Sequence, residues 1–249
     1  MTSLSSRQVA LFVVVFISLV SSAVAVDLQY GSKVRAHPTN ETGDIDEGRA
    51  LSPFYFAPQF AFMDLNGNVI PDPDEPIYIH IDPTVSRVSE NDVRITPFGN
   101  ISSGTYFPAG TKVRATDSDH DKELKVFGAG RVPVAELRYF DVDGDKAYSI
   151  DDPVYLEFNH GFVTAGDVRI TGYVTVYDNY IAGSRVRDSD TDSDKPTSTL
   201  PGMLCFYNAD GDINNRGWAI YGTEDSIYLD MQYPFYSVTP NDIRMTASG

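Results

Sequence analysis

The sequence predicts an all-β protein made of three tandem repeat units of about 70 residues, each with about four strands. Three short segments recur in the same order along the chain, and alternating apolar and polar residues within them are typical of strands. No sustained apolar pattern with helical spacing follows residue 25. The units could be sandwich-like or could share one continuous sheet, and the sequence leaves both arrangements open.

Each unit begins with a short basic segment, which we call the marker. The markers are Gly31–Arg35, Gly110–Arg114 and Gly183–Arg187. The second recurring segment is a strand with a central tyrosine, found at Ile77–Ile81, Val154–Phe158 and Ile227–Met231. The third carries an Asp-x-Arg sequence, found at Asn91–Thr96, Gly166–Thr171 and Asn241–Thr246. This phase divides the chain into units at 26–109, 110–182 and 183–249.

Residues 1–25 have the pattern of a secretory signal peptide. Arg7 precedes the apolar run Val9–Val20, and the small residues Ala23 and Ala25 occupy the positions that a signal peptidase reads. No later apolar stretch is long enough to span a membrane as a helix. We therefore expect a secreted protein of the extracellular space or cell envelope, without membrane insertion after cleavage.

The charge balance narrows the range of partners. Nineteen basic residues stand against 35 acidic ones, for a formal net charge of −16. A chain this acidic is a poor match for nucleic acid or anionic lipid.

Cys205 is the only cysteine, so no intramolecular disulfide can form, and its apolar neighbours predict a buried thiol. Bound metal could stabilise a secreted chain that lacks disulfides.

An acidic loop precedes each tyrosine-centred strand, and we call these loops one, two and three. In loop two, Asp141, Asp143, Asp145, Ser149 and Asp152 occupy positions 1, 3, 5, 9 and 12 of a twelve-residue stretch. This spacing supplies oxygen ligands to a hard cation such as Ca²⁺. The corresponding candidate ligands are Asp64, Asn66, Asn68, Asp72 and Glu75 in loop one, and Asn208, Asp210, Asp212 and Asp225 in loop three.

The segment Asp141–Asp145 resembles EF-hand and dockerin-type loops, and it is also similar to the calcium loops of β-propeller blades. The resemblance implies Ca²⁺ as the bound ion. It covers about a dozen residues in each unit. Glycine stands at loop position 4 instead of the EF-hand position 6, which Val69, Lys146 and Ile213 fill here, and no flanking helices are evident. The ligand set is therefore expected in a β context.

Other recurring polar residues have less specific interpretations. The Asp-rich segments 117–121 and 188–194 are expected to be flexible, solvated charge runs, although alternating aspartates could also hold Ca²⁺. The arginines and aspartates of the Asp-x-Arg segments and the central tyrosines are expected on the polar faces of their strands, with the arginines paired to acidic groups or tyrosine hydroxyls. They are Arg94, Arg169 and Arg244, the neighbouring Asp92, Asp167 and Asp242, and Tyr78, Tyr155 and Tyr228.

Asn40 and Asn100 lie in glycosylation sequons. The chain contains no nucleophile elbow, zinc-protease motif or phosphate-binding glycine loop, and its four histidines do not recur at equivalent positions. We expect no enzymatic activity.

A signal peptide, sequons, Asp-rich composition and calcium loops together resemble archaeal surface-layer and sheath proteins in general character. The resemblance implies a secreted, calcium-stabilised structural protein that polymerises with itself, through strand edges, into a surface layer, sheath or filament. The alternatives are a soluble calcium-dependent carbohydrate-binding or adhesion module, with cell-surface glycan as its partner, and a dockerin-like docking protein.

Overall fold

A computed structural model describes residues 29–34, 47–55, 57–159, 161–176, 178–232 and 237–247, with only the backbone described at Ser103. The expected signal peptide and the Asn40 sequon lie outside these residues. The all-β prediction is confirmed, because the described residues contain strands and one 3-10 turn, Ile101–Ser103, but no α-helix. The strands are β1 Ser52–Pro53, β2 Gln59–Phe62, β3 Ile77–His80, β4 Val93–Arg94, β5 Lys125–Val126, β6 Glu136–Tyr139, β7 Val154–Glu157, β8 Val168–Arg169, β9 Tyr173–Val174, β10 Asn179–Tyr180, β11 Ser198–Thr199, β12 Met203–Tyr207, β13 Ser226–Asp230 and β14 Ile243–Arg244.

Twelve of these strands form three antiparallel sheets of four strands each. The first sheet has the order β5–β2–β3–β4, the second β11–β6–β7–β8 and the third β1–β12–β13–β14. The third sheet is completed by β1, the earliest of the described strands, since Ser52 pairs with Phe206 and Pro53 with Cys205. The two remaining strands, β9 and β10, form a separate hairpin.

Equivalent residues pair in all three sheets. The central tyrosine of each sheet lies opposite the arginine of the Asp-x-Arg segment, in the pairs Tyr78–Arg94, Tyr155–Arg169 and Tyr228–Arg244. The second and third markers pair with the Asp-x-Arg strands that precede them, since Lys112 bridges Val93 and Arg185 bridges Val168, whereas the first marker pairs with the last Asp-x-Arg strand through Lys33 and Ile243. The first two sheets therefore extend across the expected unit boundaries at 109/110 and 182/183.

The three sheets pack their inner faces on one shared hydrophobic core. Alternation along β3 turns Ile77 and Ile79 toward this core, and β7 and β13 contribute equivalent residues. The fully buried residues of this core are Phe62, Ile77, Ile79, Val93, Ile95, Val154, Leu156, Val168, Ile170, Ile227, Ile243 and Met245. The fold is thus neither a row of separate sandwiches nor one continuous sheet.

The opposite face of each sheet is covered as well. Tyr78 packs with Val88, Val113 and Leu124 in a second cluster, and Tyr155 lies in an equivalent cluster of the second sheet. The expectation that these tyrosines and the Asp-x-Arg residues point outward is wrong, because the marker and the following Asp-rich segment fold over this face. All nine of the residues are buried: Tyr78, Asp92, Arg94, Tyr155, Asp167, Arg169, Tyr228, Asp242 and Arg244.

The three markers approach one another closely where the sheets meet. Gly31 has a φ of +73°, and a Cβ atom placed there would lie 2.4 Å from both the Ala182 Cβ and the Ile170 carbonyl oxygen. Gly110 and Gly183 make equivalent approaches to Tyr30 and Ala109, the residues that precede the other markers. The positive φ and the lack of space together require glycine at this point.

Candidate metal-binding loops

Loop two connects β6 to β7 and gathers three carboxylates. One oxygen from each of Asp141, Asp143 and Asp145 lies within 4.8 Å of the other two. Asp141 is partly exposed, and Asp143 and Asp145 are exposed at the end of the sheet. This group could hold a metal ion, because a cation in contact with three carboxylates offsets the repulsion between them.

Hydrogen bonds to the backbone set the shape of loop two. Asp141 accepts from the N–H of Gly144 at 2.7 Å and from that of Lys146 at 2.8 Å. Gly144 and Lys146 both adopt positive φ values, 78° and 66°. The turn that an EF-hand makes with glycine at position 6 is therefore made here with lysine, after a glycine at position 4. Aspartate at position 1 favours this turn because its side chain accepts the freed N–H groups.

The carboxylates of loop two affect one another's ionisation. Partial desolvation alone would raise the pKa of Asp141, but hydrogen bonds from Lys146 and Gly144 lower it overall. For Asp143, a hydrogen bond from the Asp145 N–H lowers the pKa, yet desolvation and the charges of Asp145 and Asp141 raise it overall. The raised pKa of Asp143 reflects repulsion that a bound cation would relieve.

Loop three also gathers three carboxylates, with the closing residue Asp225 in place of a carboxylate at position 1. Oxygens of Asp210, Asp212 and Asp225 lie within 4.8 Å of one another. Oδ1 of Asp212 is buried and accepts no hydrogen bond from any described residue. Desolvation, followed by the charge of Asp210, raises the pKa of Asp212. Asn208 caps the turn by accepting from the Gly211 N–H at 2.8 Å.

Loop one repeats the fold with amides in place of two carboxylates. Asp64 accepts from the N–H groups of Gly67 at 2.7 Å and Val69 at 3.2 Å. The side-chain amides of Asn66 and Asn68 both donate to Oδ2 of Asp72, at 2.6 and 2.8 Å. In this arrangement the two amide groups donate hydrogen bonds to the Asp72 carboxylate, which a bound cation would otherwise contact.

The closing residues of loops one and two are engaged with the backbone. Asp152 accepts from the N–H groups of Val142 at 2.8 Å and Ser149 at 2.7 Å. Glu75 accepts from Leu65 and Asp72 in the same way. Asp225 accepts from the N–H groups of Ala209 and Gly222 in the same way and is nonetheless part of the carboxylate cluster of loop three, whereas Glu75 and Asp152 are not grouped with the residues at positions 1, 3 and 5. The Ser149 hydroxyl accepts from the Asp151 N–H at 3.3 Å.

The Asp-rich segments have a role that the sequence interpretation missed. Asp119 and Asp192 are fully buried and bind the buried arginines of the first two sheets, so the prediction of solvated charge runs is wrong for them. Asp117 and Asp190 bind the same guanidinium groups at 2.8 Å. Asp119 and Asp192 recur at the same distance after the marker glycines Gly110 and Gly183, and this recurrence was the available signal.

Two further features lie on the surface. Asn100 is exposed and begins the 3-10 turn by accepting from the Ser102 N–H at 2.8 Å. Near loop three, half-exposed Tyr55 and Trp218 meet edge to face, with ring centroids 5.3 Å apart. The Arg216 guanidinium donates to the Tyr55 hydroxyl at 3.4 Å.

Comparison of the chain with models of protein families, with curated proteins and with solved structures found no match. Within the described residues, no helix is both long and apolar enough to cross a membrane.

Proposed function

We propose that this protein is a secreted, calcium-stabilised structural protein that assembles with itself into an extracellular layer. The observation that carries the calcium proposal is the pair of carboxylate clusters, Asp141–Asp143–Asp145 and Asp210–Asp212–Asp225. Both clusters offer only oxygen, which suits a hard cation such as Ca²⁺ rather than a metal that prefers nitrogen or sulfur.

The three loops are not expected to bind Ca²⁺ equally. Loops two and three present three carboxylates each, while loop one presents amides that already donate to Asp72. Fewer negative ligands and the need to rotate the Asn66 and Asn68 amides both weaken binding. We therefore expect loop one to have the lowest affinity.

The β9–β10 hairpin is our candidate for the self-association surface. Like the outer strands of the three sheets, β9 and β10 are only two residues long. They pair only with each other among the described strands, so each has an unpaired edge to which another chain could add a strand. Val174 and Val176 on this hairpin are 72% and 93% exposed. A second copy could bury these valines while its strand pairs with the edge.

Size-exclusion chromatography with light scattering tests both parts of this proposal on residues 26–249. We expect Ca²⁺ to raise the thermal unfolding temperature and to shift the protein from monomers to large particles, and EDTA to reverse both effects. Val176→Lys should prevent particle growth without lowering the unfolding temperature. Val134→Lys, at a half-exposed valine outside the hairpin, is the control and should assemble normally.

The outcomes separate the two parts. Ca²⁺ that changes neither stability nor size would contradict the calcium proposal. Stabilisation without particle growth would leave calcium binding standing and rule out the layer. Equal loss of assembly in Val176→Lys and Val134→Lys would rule out the hairpin as the contact.

Carbohydrate binding is the second candidate function, and the Tyr55–Trp218 pair favours it. The central tyrosines cannot stack on sugars, because Tyr78 and Tyr155 are fully buried. Trp218 is the only tryptophan of the chain and sits on a tight turn in which the Asn214 N–H donates to the Trp218 carbonyl. Exposed aromatic rings held rigidly present an apolar face on which a sugar ring can pack.

Intrinsic fluorescence tests this candidate directly, since Trp218 is the only tryptophan and dominates the signal. A polysaccharide that stacks on the pair should change the emission in a saturable way, and Tyr55→Ala should weaken binding. Tyr106→Ala removes an exposed tyrosine elsewhere and should bind normally. Absence of a saturable change across neutral and acidic polysaccharides would rule this function out.

A further inference from the structure

The marker side chains Lys33, Lys112 and Arg185 reach from one sheet to an acidic loop of another. The backbone of Lys33 bridges Ile243 in the third sheet. Its Nζ donates to the carbonyl oxygens of Ser149 at 3.2 Å and Ile150 at 2.7 Å, and also to that of Asp152, all in loop two of the second sheet. One ammonium group thus holds the closing segment of a loop that belongs to a different sheet.

Lys112 makes the same contact with loop three. Its backbone bridges Val93 in the first sheet, while its Nζ donates to the carbonyls of Gly222 at 2.8 Å and Thr223 at 2.7 Å. It also donates to the carbonyl of Asp225, a member of the carboxylate cluster.

Arg185 completes the set at loop one. Its Nη2 donates to the carbonyls of Glu75 at 2.7 Å and Asp72 at 3.1 Å, and its Nη1 to the Gly166 carbonyl of its own sheet at 2.7 Å. The three contacts are therefore cyclic. A residue beside the third sheet holds the second, one beside the second holds the first, and one beside the first holds the third.

We propose that Lys33, Lys112 and Arg185 are positioning residues for the cation loops, so that the Ca²⁺ affinity of each loop depends on a side chain from another sheet. The inference rests on the proposed calcium binding. Each of these three charged side chains donates hydrogen bonds to carbonyl oxygens of the segment that ends in Glu75, Asp152 or Asp225. These bonds hold the loop in one conformation before any metal ion binds. A loop ordered in advance loses less conformational entropy on binding and binds more tightly.

The N–H groups of Gly67, Gly144 and Gly211 allow each loop to be followed separately. Each is at position 4 of its loop and donates to the side chain at position 1. We would titrate ¹⁵N-labelled protein with Ca²⁺ and follow the three amide signals by NMR. A pH of about 6.5 keeps the lysines protonated, since burial lowers the pKa of Lys33 and Lys112 to about 8.

Lys33→Met should raise the Ca²⁺ concentration for half-maximal change at Gly144 by about tenfold, the scale typical of residues that support metal ligands. Gly67 and Gly211 should be unaffected. Lys112→Met should change only Gly211, and Arg185→Met only Gly67, so that each variant is the matched control for the other two. Lys33→Gln removes the charge but keeps an N–H donor group, and it should give a smaller shift at Gly144. It replaces the Met variant if that variant fails to fold.

Equal shifts at all three glycines would overturn the inference, because a general loss of stability does not distinguish between loops. Unchanged titrations in every variant, or tighter binding at the affected loop, would also overturn it. If no glycine of the unaltered protein responds to Ca²⁺, the calcium proposal fails and this inference fails with it.

Discussion

Arg94 and Asp119 form a fully buried, two-point ion pair in the first sheet. The Arg94 Nε donates to Asp119 Oδ2 at 2.8 Å, and Nη2 donates to Oδ1 at 2.6 Å. The Tyr78 hydroxyl donates to the same carboxylate at 2.9 Å. Arg169 and Asp192 repeat both distances in the second sheet. The pair fastens the Asp-rich segment onto the outer face of the sheet.

Arg94→Met should destabilise the protein by about 3–5 kcal/mol, because it leaves Asp119 buried without its counter-charge. Urea unfolding at pH 7 measures the effect. Thr111→Val is the control: it removes one of the five hydrogen bonds that Arg94 donates, together with the bond from the Thr111 hydroxyl to the Pro108 carbonyl, and should cost about 1–2 kcal/mol. Similar losses in both variants would contradict a dominant role for the buried charge pair.

The sequence was sufficient to predict the tyrosine-centred and Asp-x-Arg strands, but not the outer strands β1, β5 and β11 or the residues that cover the sheets. The alternation of apolar and polar side chains in Ile77–Ile81 predicts a strand with two different faces. It identifies the inner face as apolar and does not show that the outer face is buried as well. The outer face is buried by Asp119, which lies 25 residues after Arg94. Pairing of β1 with β12 joins residues still farther apart in the chain. Contacts over such distances depend on the whole fold, and no local pattern encodes them.

The candidate metal ligands were predictable where they lie close in sequence. Asp141, Asp143 and Asp145 come together because one turn brings alternate side chains to the same side. Asp152 was expected as a ligand, but it is not grouped with these three carboxylates, and its own carboxylate accepts from the backbone N–H groups of Val142 and Ser149. The contact of Lys33 with the same loop could not be foreseen, because it depends on how two sheets pack.

Gly31→Ala should be far more destabilising than Gly144→Ala. Both glycines have a φ near 75°, so each substitution costs about 1 kcal/mol in backbone strain. At Gly144 the added methyl group meets nothing within 4 Å, whereas at Gly31 it meets the Ile170 carbonyl oxygen at 2.4 Å. We expect a further loss of about 1–3 kcal/mol at Gly31 from overpacking. Equal losses in urea unfolding would contradict the close approach of the markers.

Val69→Gly should stabilise the protein by up to about 1 kcal/mol. Val69 adopts a φ of +59°, which is strained for a β-branched residue and is relieved by glycine. Val85→Gly is the control, because Val85 is also partly exposed but is not among the residues with positive φ. That variant should be destabilised by the added freedom of the unfolded chain. Thermal unfolding in EDTA measures both, and destabilisation by Val69→Gly would contradict the strained conformation.

Cys205 should react with thiol reagents only when the protein unfolds. It is fully buried, and desolvation, aided by the charges of Asp230 and Asp242, raises the pKa of the thiol to about 12. Because the thiolate is the reactive form, labelling at pH 8 should be very slow in buffer and fast in urea. Cys205→Ala is the control for background reaction. Rapid labelling of the folded protein would show that this part of the third sheet opens readily.

Asp167 should make the protein less stable as the pH rises toward neutrality. Burial raises its pKa to about 7, and although hydrogen bonds from Phe158 and Thr164 oppose this, the charge of buried Glu157 adds to it. The folded state then binds more protons than the unfolded state, in which aspartate has a pKa of about 3.9. The stabilisation from Asp167 is therefore complete below about pH 4 and is lost as the pH rises through about 7.

Glu157→Gln tests this origin of the pH dependence. Removing the neighbouring charge should lower the pKa of Asp167, so the unfolding free energy of the variant should fall less steeply between pH 5 and pH 8. Urea unfolding in EDTA at several pH values measures the slope. Glu136→Gln removes an exposed glutamate of the same sheet and should keep the original slope. Parallel curves for the unaltered protein and Glu157→Gln would show that the repulsion between Glu157 and Asp167 does not set the pH dependence, because a buried pair of like charges must respond when one charge is removed.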